Sequence, residues 1–325
     1  MSPRFENFEA SPSSKSVEKT TLSDAASLAT VVFKFGTAKA VHGEAEQVIA
    51  AQSIVSDSSC DLFDREEEDL DFSTVPFSIR IGEHEYLDEG DMDIDGMLRE
   101  NETSSELART ACPSVQTWLE KFSRPGPVLA FTISSALSGS YNSALAAKRL
   151  LLETEPDKEI EIIDSRATGP ETALLIRLAR SLVEKRLAFE NVVQRVQEAA
   201  DRTHIIFALK SYHNLIKNGR VSKLKALVAG HLGFWGIGVG DDAGEIAMRG
   251  KARGVRHMIR FLLNEIKETG VAGKEIIISH CFNEEAAQEL KRGLLELFSG
   301  ISVDILPTRG LDSFYAERGG LIIGY

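Results

Sequence analysis

The chain has 325 residues, and its 43% hydrophobic and 26% charged content is typical of soluble globular proteins. Its 37 basic and 49 acidic side chains give a net charge of −12, which argues against a general nucleic-acid binder because such proteins carry a basic face. Three widely spaced cysteines without CxxC spacing favour neither a disulfide framework nor a zinc site. No stretch approaches the ~18 apolar residues of a transmembrane helix. We therefore expect a cytoplasmic protein without stable membrane insertion.

Residues 1–51 are predicted to form an N-terminal extension. Ser11 to Thr21 is polar and is expected to be flexible, and the segment that follows predicts one amphipathic helix or two shorter ones, capped by Ser23 or Asp24. A secretory signal is not favoured, because Lys34 interrupts the apolar run. The extension is a candidate contact for another protein.

Residues 52–201 predict a first α/β lobe. Short apolar runs at 53–57, 128–134 and 159–164 are typical of buried strands, and each ends in Ser or Asp residues. The segments between and after them space apolar residues three and four apart, as crossover helices do. This alternation predicts a largely parallel sheet.

Residues 202–325 predict a second α/β lobe with a mixed sheet. Strand patterns at 204–210, 275–281, 302–308 and 321–325 alternate with two helical patterns, and residues 233–250 read as a hairpin with its turn at Asp241 to Gly244. The predicted fold is thus α/β with two lobes, the first largely parallel and the second mixed, plus the helical extension.

The segment FTISSALSGSYNSALAAK, Phe131 to Lys148, is the strongest candidate site. A buried strand stops at a turn rich in serine and glycine, Ser134–Ser140, and a helix begins near Tyr141. Ligands of open α/β sheets collect at such points, where free helical N–H groups and the helix dipole favour an anion. Its hydroxyl donors are Ser134, Ser135, Ser138 and Ser140, and Gly139 allows close backbone approach. The same serines could equally cap the helix.

Other polar residues end or follow the predicted strands. Asp57 and Ser58 follow the first strand, where an Asp is a candidate base or cation ligand, or a turn former. Thr110 precedes a helix and can offer its hydroxyl outward or cap the backbone. Arg220 could hold a carboxylate or phosphate through two parallel N–H bonds, or lie in a solvated basic loop. His280 ends a later strand.

Several catalytic templates are missing from the sequence. It contains no GxSxG elbow, no GxxxxGK[ST] phosphate loop and no HExxH motif. The acidic run from Asp61 to Asp71 lacks metal-loop spacing and is expected to be a solvated loop or helix face. We predict no catalytic residue, no metal and no cofactor, and a chain without a nucleotide loop is not expected to be a kinase by itself.

Seven segments follow one another in a characteristic order: SDSSCDL, VPFSIRIGEHEYLDEGD, TACPS, ISSALSGSYNSA, IIDSRA, LIKNGRVSK and ISHCFNEE. Together they resemble the DegV family of fatty-acid-binding proteins, from about Ser53 to the C-terminus. The resemblance implies the EDD fold, in which two α/β lobes enclose a long-chain fatty acid with its tail in an apolar tunnel and its carboxylate at a polar end. It also implies a partner, a separate ATP-using fatty-acid kinase subunit of the dihydroxyacetone-kinase-like type that makes the acyl phosphate.

The resemblance assigns roles to particular residues. The family's TSxPS element matches Thr110 to Ser114, with Thr110 on the carboxylate and Ala111 in place of a serine. Its LSGT element matches Leu137 to Ser140, with Ser138 as the second carboxylate ligand, and its GR[IV]S element matches Gly219 to Ser222, with Arg220 near the head group. His280 is a further member. The remaining predicted ligand-binding residues are Ser135, Gly139, Ser140, Asp57 and Ser58.

The C-terminal segment departs from the family pattern. Many members have HxGPG before the last strand, whereas this chain has YAERGGLIIGY, Tyr315 to Tyr325, so the residues that imply a kinase-facing loop are replaced. The alternative to a lipid-presenting protein is an enzyme that uses Asp57, Arg220 or His280 on a small carboxylated or phosphorylated substrate at the same inter-lobe site.

Overall fold

Strands and helices alternate along most of the chain. The computed structural model describes residues 37–40, 47–50, 52–63, 72–221 and 233–325. The strands are β1 (Thr37–Ala40), β2 (Gln47–Ala50), β3 (Ser53–Asp57), β4 (Phe72–Val75), β5 (Ser78–Ile81), β6 (His84–Leu87), β7 (Arg109–Ala111), β8 (Val128–Thr132), β9 (Ile160–Asp164), β10 (Ile205–Leu209), β11 (Phe234–Gly240), β12 (Ile246–Arg253), β13 (Glu275–His280), β14 (Ser302–Pro307) and β15 (Leu321–Gly324). The α-helices are α1 (Ile94–Thr103), α2 (Val115–Phe122), α3 (Ser140–Thr154), α4 (Gly169–Glu184), α5 (Phe189–Ala200), α6 (His213–Lys217), α7 (Val255–Thr269), α8 (Glu284–Leu297) and α9 (Gly310–Ala316).

The first sheet is parallel, as the sequence predicts. Its strand order is β4-β3-β8-β9, and each neighbouring pair runs in the same direction. Every residue of β3 and β8 is buried, because the central strands of a parallel sheet are covered on both faces. The carboxyl ends of β3, β8 and β9 therefore lie side by side. This brings Asp57, the Ser134–Ser140 turn and Asp164 to one edge of the sheet.

The second sheet is mixed, which also confirms the prediction. Its order is β12-β11-β10-β15-β13-β14, with β13 and β14 parallel and the other pairs antiparallel. Strands β11 and β12 form the predicted hairpin. The Gly244 N–H donates to the Asp241 carbonyl at 2.8 Å, and Gly244 has a φ of +75°, a conformation that glycine adopts without steric cost. The last strand, β15, lies inside the sheet between β10 and β13.

A third, antiparallel sheet has the order β6-β5-β7 and was not predicted. Strand β7 has only three residues, and none of the β6 residues is buried, so neither strand carries a clear apolar pattern. In this sheet Thr110 pairs with Ile79 of β5. The backbone of Thr110 is therefore held in a strand, which fixes the direction of its side chain.

Helix α4 joins the cores of the two large sheets. Residues 169–176 are all buried. Leu175 and Ile176 belong to one apolar cluster that also contains Leu129 of the first sheet and Ile277 of the second. An amphipathic surface helix would expose one side, whereas the first half of α4 is buried on every side. Its position between the sheets explains this composition.

The N-terminal extension differs from the sequence prediction where it is described. The sequence predicts helix across residues 37–50, but β1 and β2 are strands. Thr37 in β1 and Val48 and Ile49 in β2 are β-branched, and such residues favour strands over helices. The flexible segment at 11–21 and the start of the predicted helix lie outside the described residues.

The acidic run also differs at its beginning. The sequence predicts a solvated segment from Asp61 to Asp71, yet Asp61 and Leu62 are fully buried. The Arg309 N–H donates to Asp61 Oδ1 at 2.7 Å, so a partner 248 residues away offsets part of the cost of burying this carboxyl. Residues 64–71 lie outside the described part of the chain.

Candidate ligand-binding site

Asp57 holds the Ser134–Ser140 turn in place through hydrogen bonds. The carboxyl is fully buried, and its Oδ2 accepts hydrogen bonds from the Ile133 N–H at 2.9 Å and the Ser140 hydroxyl at 2.6 Å. Its Oδ1 accepts from the hydroxyl of Ser59 at 2.6 Å. Burial raises the pKa of Asp57 to about 6, although these hydrogen bonds lower it. Asp57 therefore fixes the two ends of the turn instead of facing an open site.

The exposed part of the turn forms the N-terminus of α3. Gly139 is the N-cap residue of this helix and is exposed. No side-chain hydrogen bond caps the helix at this position. The half-buried Ser138 accepts a hydrogen bond from the Ser140 N–H at 3.3 Å. Ser135 is exposed, and its N–H donates to Asp164 at 3.1 Å. The turn thus presents helical N–H groups and the Ser138 hydroxyl at the sheet edge, which is a suitable arrangement for an anion.

Thr110 and Arg220 meet at Tyr315. The hydroxyls of Thr110 and Tyr315 lie 2.8 Å apart, and the Arg220 guanidinium lies over the Tyr315 ring at 5.9 Å from its centroid. Burial raises the pKa of Tyr315, while the hydrogen bond with Thr110 and the charge of Arg220 lower it. A hydroxyl pair and a cation therefore converge on one half-buried aromatic residue.

The same contacts bring the three sequence motifs together. Arg220 Nε donates to the Leu137 carbonyl at 3.3 Å, next to Ser138, and Arg220 Nη1 donates to the Asn218 carbonyl. A Cβ atom at Gly139 would lie 3.2 Å from Cys112 Sγ, so the TACPS segment packs directly on the turn. Arg220 is therefore held in a fixed orientation beside the turn. Ser222, the last residue of its motif, lies outside the described residues.

An apolar cavity has Tyr315 in its lining. Its floor is the mixed sheet, where alternate side chains of β10 point into the cavity. The floor residues are Ile205, Phe207, Leu209, Ile246 and Ile322. Residues of the first lobe and of α9 also line it, among them Leu137, Ala167, Thr168, Asp312, Tyr315 and Ala316.

Two predicted site residues lie elsewhere. Ser58 is buried, and its hydroxyl donates to Asp88 Oδ2 at 2.8 Å and accepts the Phe77 N–H at 3.0 Å. His280 lies at the end of β13, where its Nδ1 accepts the Asn283 N–H at 3.2 Å. Burial lowers the pKa of His280. Both side chains have structural partners away from the Ser134–Ser140 turn, and like Thr110, Ser138 and Arg220 they are not among the residues that line the apolar cavity.

A cluster of buried carboxyls lies under α9. Asp88 accepts the N–H groups of Gly310 and Leu311 at 2.8 and 2.9 Å, and the buried Arg309 lies 3.5 Å from it. Asp61 and Asp312 face one another across Gly169, where a Cβ atom would meet both. Burial raises the pKa of Asp61 to about 7, and burial together with the charge of Asp61 raises that of Asp312. This cluster positions α9, and with it Tyr315.

The described residues contain no group of three or more His, Cys, Asp or Glu side chains arranged to hold a metal ion. Among the helices that the structure describes, none combines the length and apolar character needed to cross a membrane. The fold and site together define an α/β protein in which a turn rich in serine and glycine lies beside an apolar cavity, with Leu137 of the turn in the cavity lining.

The comparisons with known proteins identify the family. The family model described as "Uncharacterised protein, DegV family" matches residues 52–320. A DegV domain-containing protein of Streptococcus gordonii is 37% identical over 274 residues, which are 84% of this chain and 98% of that relative. The chain belongs to the DegV family.

Solved structures of relatives share the fold. A DegV family protein from Eubacterium eligens, loaded with heptadecanoic acid, has a TM-score of 0.81 at 33% identity, over 84% of this chain and 99% of that one. The Streptococcus pneumoniae Fatty Acid Kinase (Fak) B3 protein, loaded with linoleic acid, has a TM-score of 0.80 at 35% identity, over 85% of this chain and 99% of that one.

Sequence reasoning missed Tyr315 as a site residue. Tyr315 and Thr110 are 205 positions apart, so no local pattern relates them. The available signal was the departure of the segment that begins at Tyr315 from the family pattern, which pointed to this region but not to a contact with Thr110.

Proposed function

We propose that this protein binds a long-chain fatty acid between its two lobes and presents the carboxylate to a separate ATP-dependent fatty-acid kinase. The observation that carries the proposal is the apolar cavity lined by Tyr315, whose side chain contacts Thr110 and Arg220. The bound acids named for the Eubacterium eligens and Streptococcus pneumoniae relatives support it.

The energetics favour a lipid over a small polar ligand. Each methylene buried in an apolar site contributes about 0.8 kcal/mol, so a long tail supplies most of the affinity. The carboxylate then needs only to be oriented. Thr110 and Ser138 would donate hydroxyl hydrogen bonds, and Arg220 would supply positive charge. Asp57 and Ser140 would hold the turn in place without contacting the ligand.

The kinase partner carries the chemistry in this proposal. Asp57, the buried acidic residue that bonds to the turn, already accepts hydrogen bonds on both oxygens, which disfavours a role as a base on a small substrate. The relative named as a fatty acid kinase B3 protein supports presentation to a kinase. The C-terminal segment that departs from the family pattern, Tyr315 to Tyr325, is held by Arg318, which pairs with Glu102 at 2.9 Å and with Asp95 at 2.5 Å. This segment would form a docking surface different from that of members with HxGPG.

Mass spectrometry of lipid extracted from the natively purified protein tests the binding. We expect a stoichiometric long-chain fatty acid. Loading that acid and adding ATP with a fatty-acid kinase catalytic subunit tests presentation, and acyl phosphate is the expected product. An empty protein that turns over a small carboxylated or phosphorylated substrate would instead support an enzyme.

The Thr110→Val variant tests the polar end of the site. Losing a hydrogen bond to a charged group should weaken fatty-acid affinity roughly 10- to 100-fold. Fluorescent fatty-acid displacement measures this effect. The matched control is Thr103→Val, because the Thr103 hydroxyl bonds only to carbonyls of its own helix. Equal affinities for the two variants would contradict the proposed placement of the carboxylate.

A further inference from the structure

The apolar cavity is lined by alternate residues of β10. Ile205, Phe207 and Leu209 all line it, and four residues of strand span roughly 14 Å. Leu209 lies at the end of β10 from which the chain continues into α6. Leu215 of α6 and Tyr315 also line the cavity. Ile205 therefore marks the end far from the proposed carboxylate site.

A second cavity lies directly beyond Ile205. It shares three lining residues with the apolar cavity, namely Arg166, Ile205 and Gly240. Its other lining is strongly polar and includes Glu171, Asp201, His204, Asp241 and Asp242. A hydrocarbon tail gains no transfer free energy by entering such a space, since the polar groups would lose their hydration.

The wall between the two cavities is tightly packed. Ile205 is 6% exposed, and a Cβ atom at Gly240 would lie 2.8 Å from Ile205 Cγ2 and 3.6 Å from the Arg166 carbonyl oxygen. The Arg166 guanidinium lies on the side of the polar cavity, because its Nη2 donates to the Ala200 carbonyl at 2.9 Å and to Asp201 at 2.6 Å. The packing side chain of this wall is therefore that of Ile205.

We propose that Ile205, packed against Gly240, is the stop of the apolar cavity and sets the longest acyl chain that the protein holds. This inference rests on the proposed fatty-acid binding and adds the residues that determine chain-length specificity. Up to the stop, each added methylene is buried. Beyond it, further methylenes must bend back or enter the polar cavity.

Affinity against chain length tests the stop. Titration of a series of saturated fatty acids should show affinity rising about fourfold per added carbon and then ceasing to rise at a definite chain length, which we call the break. In Ile205→Ala, which removes three carbon atoms at the wall, the break should move to chains about two to three carbons longer. In Gly240→Ala the added methyl pushes Ile205 into the cavity, and the break should move to shorter chains.

The matched control is Ile206→Ala. Ile206 is the next residue of β10, is fully buried and packs in the core on the opposite face of the sheet, so its truncation has a comparable structural cost without touching the cavity. The break of Ile206→Ala should fall at the same chain length as that of the wild type. Thermal unfolding monitors the fold of each variant, and Ile205→Val, with an expected shift of about one carbon, replaces Ile205→Ala if the latter does not fold.

The outcomes separate the two proposals. A break at the same chain length in the wild type, the Ile205 variant and Gly240→Ala, with fatty acids bound in each case, overturns the assignment of the stop and leaves fatty-acid binding intact. A wild-type protein that binds no fatty acid of any length overturns the proposed function itself.

Discussion

Asp57 is a buried carboxyl that fixes the position of the Ser134–Ser140 turn without forming part of its exposed surface. Its two oxygens receive the Ser59 hydroxyl, the Ile133 N–H and the Ser140 hydroxyl, which belong to the segments that follow β3 and β8. These bonds tie two strand ends of the parallel sheet together. The position of Ser138 and of the first N–H groups of α3 depends on this tie, so Asp57 sets the geometry of the turn.

Replacing this residue with asparagine should be costly. In Asp57→Asn the amide nitrogen faces donors, so at least one buried donor loses its acceptor, and the free energy of unfolding should fall by about 2–4 kcal/mol. Urea unfolding measures the loss. Asp93→Asn is the matched control, because Asp93 is a helix N-cap residue that accepts the Gly96 N–H, and Asn serves equally well there. A similar, small effect in both variants would contradict the role of Asp57.

Thr110, Tyr315 and Arg220 form the other residue-scale unit. Each comes from a different element: β7, α9 and the segment after α6. Tyr315 is the central member, since Thr110 bonds its hydroxyl and Arg220 covers its ring. The polar end of the cavity therefore depends on the placement of α9, and hence on the buried carboxyls beneath it.

At the scale of elements, α4 is the link between the two sheets. Its N-terminal residues pack against β15, and the contact is between backbones. A Cβ atom at Gly324 would lie 2.5 Å from the Glu171 nitrogen and 2.6 Å from the Pro170 carbonyl carbon. Backbone atoms cannot move aside as the end of a flexible side chain can. Gly324 thus permits the close approach of strand and helix.

The Gly324→Ala variant should therefore separate β15 from α4. We expect the free energy of unfolding to fall by about 3 kcal/mol, at the upper end of the usual cost of overpacking. Gly273→Ala provides the comparison, because a Cβ atom there meets nothing within 4 Å, and its effect should stay within about 0.5 kcal/mol. Chemical denaturation of both variants measures the difference. A neutral Gly324→Ala would show that the two elements have room to part.

At the scale of the whole molecule, the buried carboxyls make stability depend on pH. Burial raises the pKa of Asp57 to about 6 and those of Asp61 and Glu171 to about 7, and it also raises that of Asp312. A raised pKa means that the folded state binds protons more tightly than the unfolded chain. The stabilising contribution is therefore complete below about pH 4 and is lost as pH rises through 6 to 7.

We accordingly expect the free energy of unfolding to fall between pH 5 and pH 7.5. A single group with a pKa raised by two units contributes about 2.7 kcal/mol to this change. Burial lowers the pKa of His204 and His280, which offsets part of the fall because these groups act in the opposite direction. Urea titrations at several pH values measure the slope. Glu171→Gln should flatten it, and an unchanged slope in that variant would exclude Glu171 as a contributor.

Much of the fold was predictable because it is encoded locally. The buried runs of β3, β8 and β10 and the three-and-four spacing of α3 and α7 follow from the periodicity of strands and helices. The Ser134–Ser140 turn, Thr110 and Arg220 were recognisable from motif order. The sheet containing β7 was not, because its strands are short and none of the β6 residues is buried, so they show little apolar pattern.

The sequence by itself determined the alternation of elements, the parallel and mixed sheets, and the motifs that approach the site. Only the tertiary structure decided that Tyr315 joins Thr110 and Arg220, that Asp61 is buried, and that Ile205 lines the apolar cavity. The physical reason is separation along the chain. Thr110 meets Tyr315 across 205 positions and Asp61 meets Arg309 across 248, and such contacts arise from packing between elements, which local propensity and periodicity do not encode.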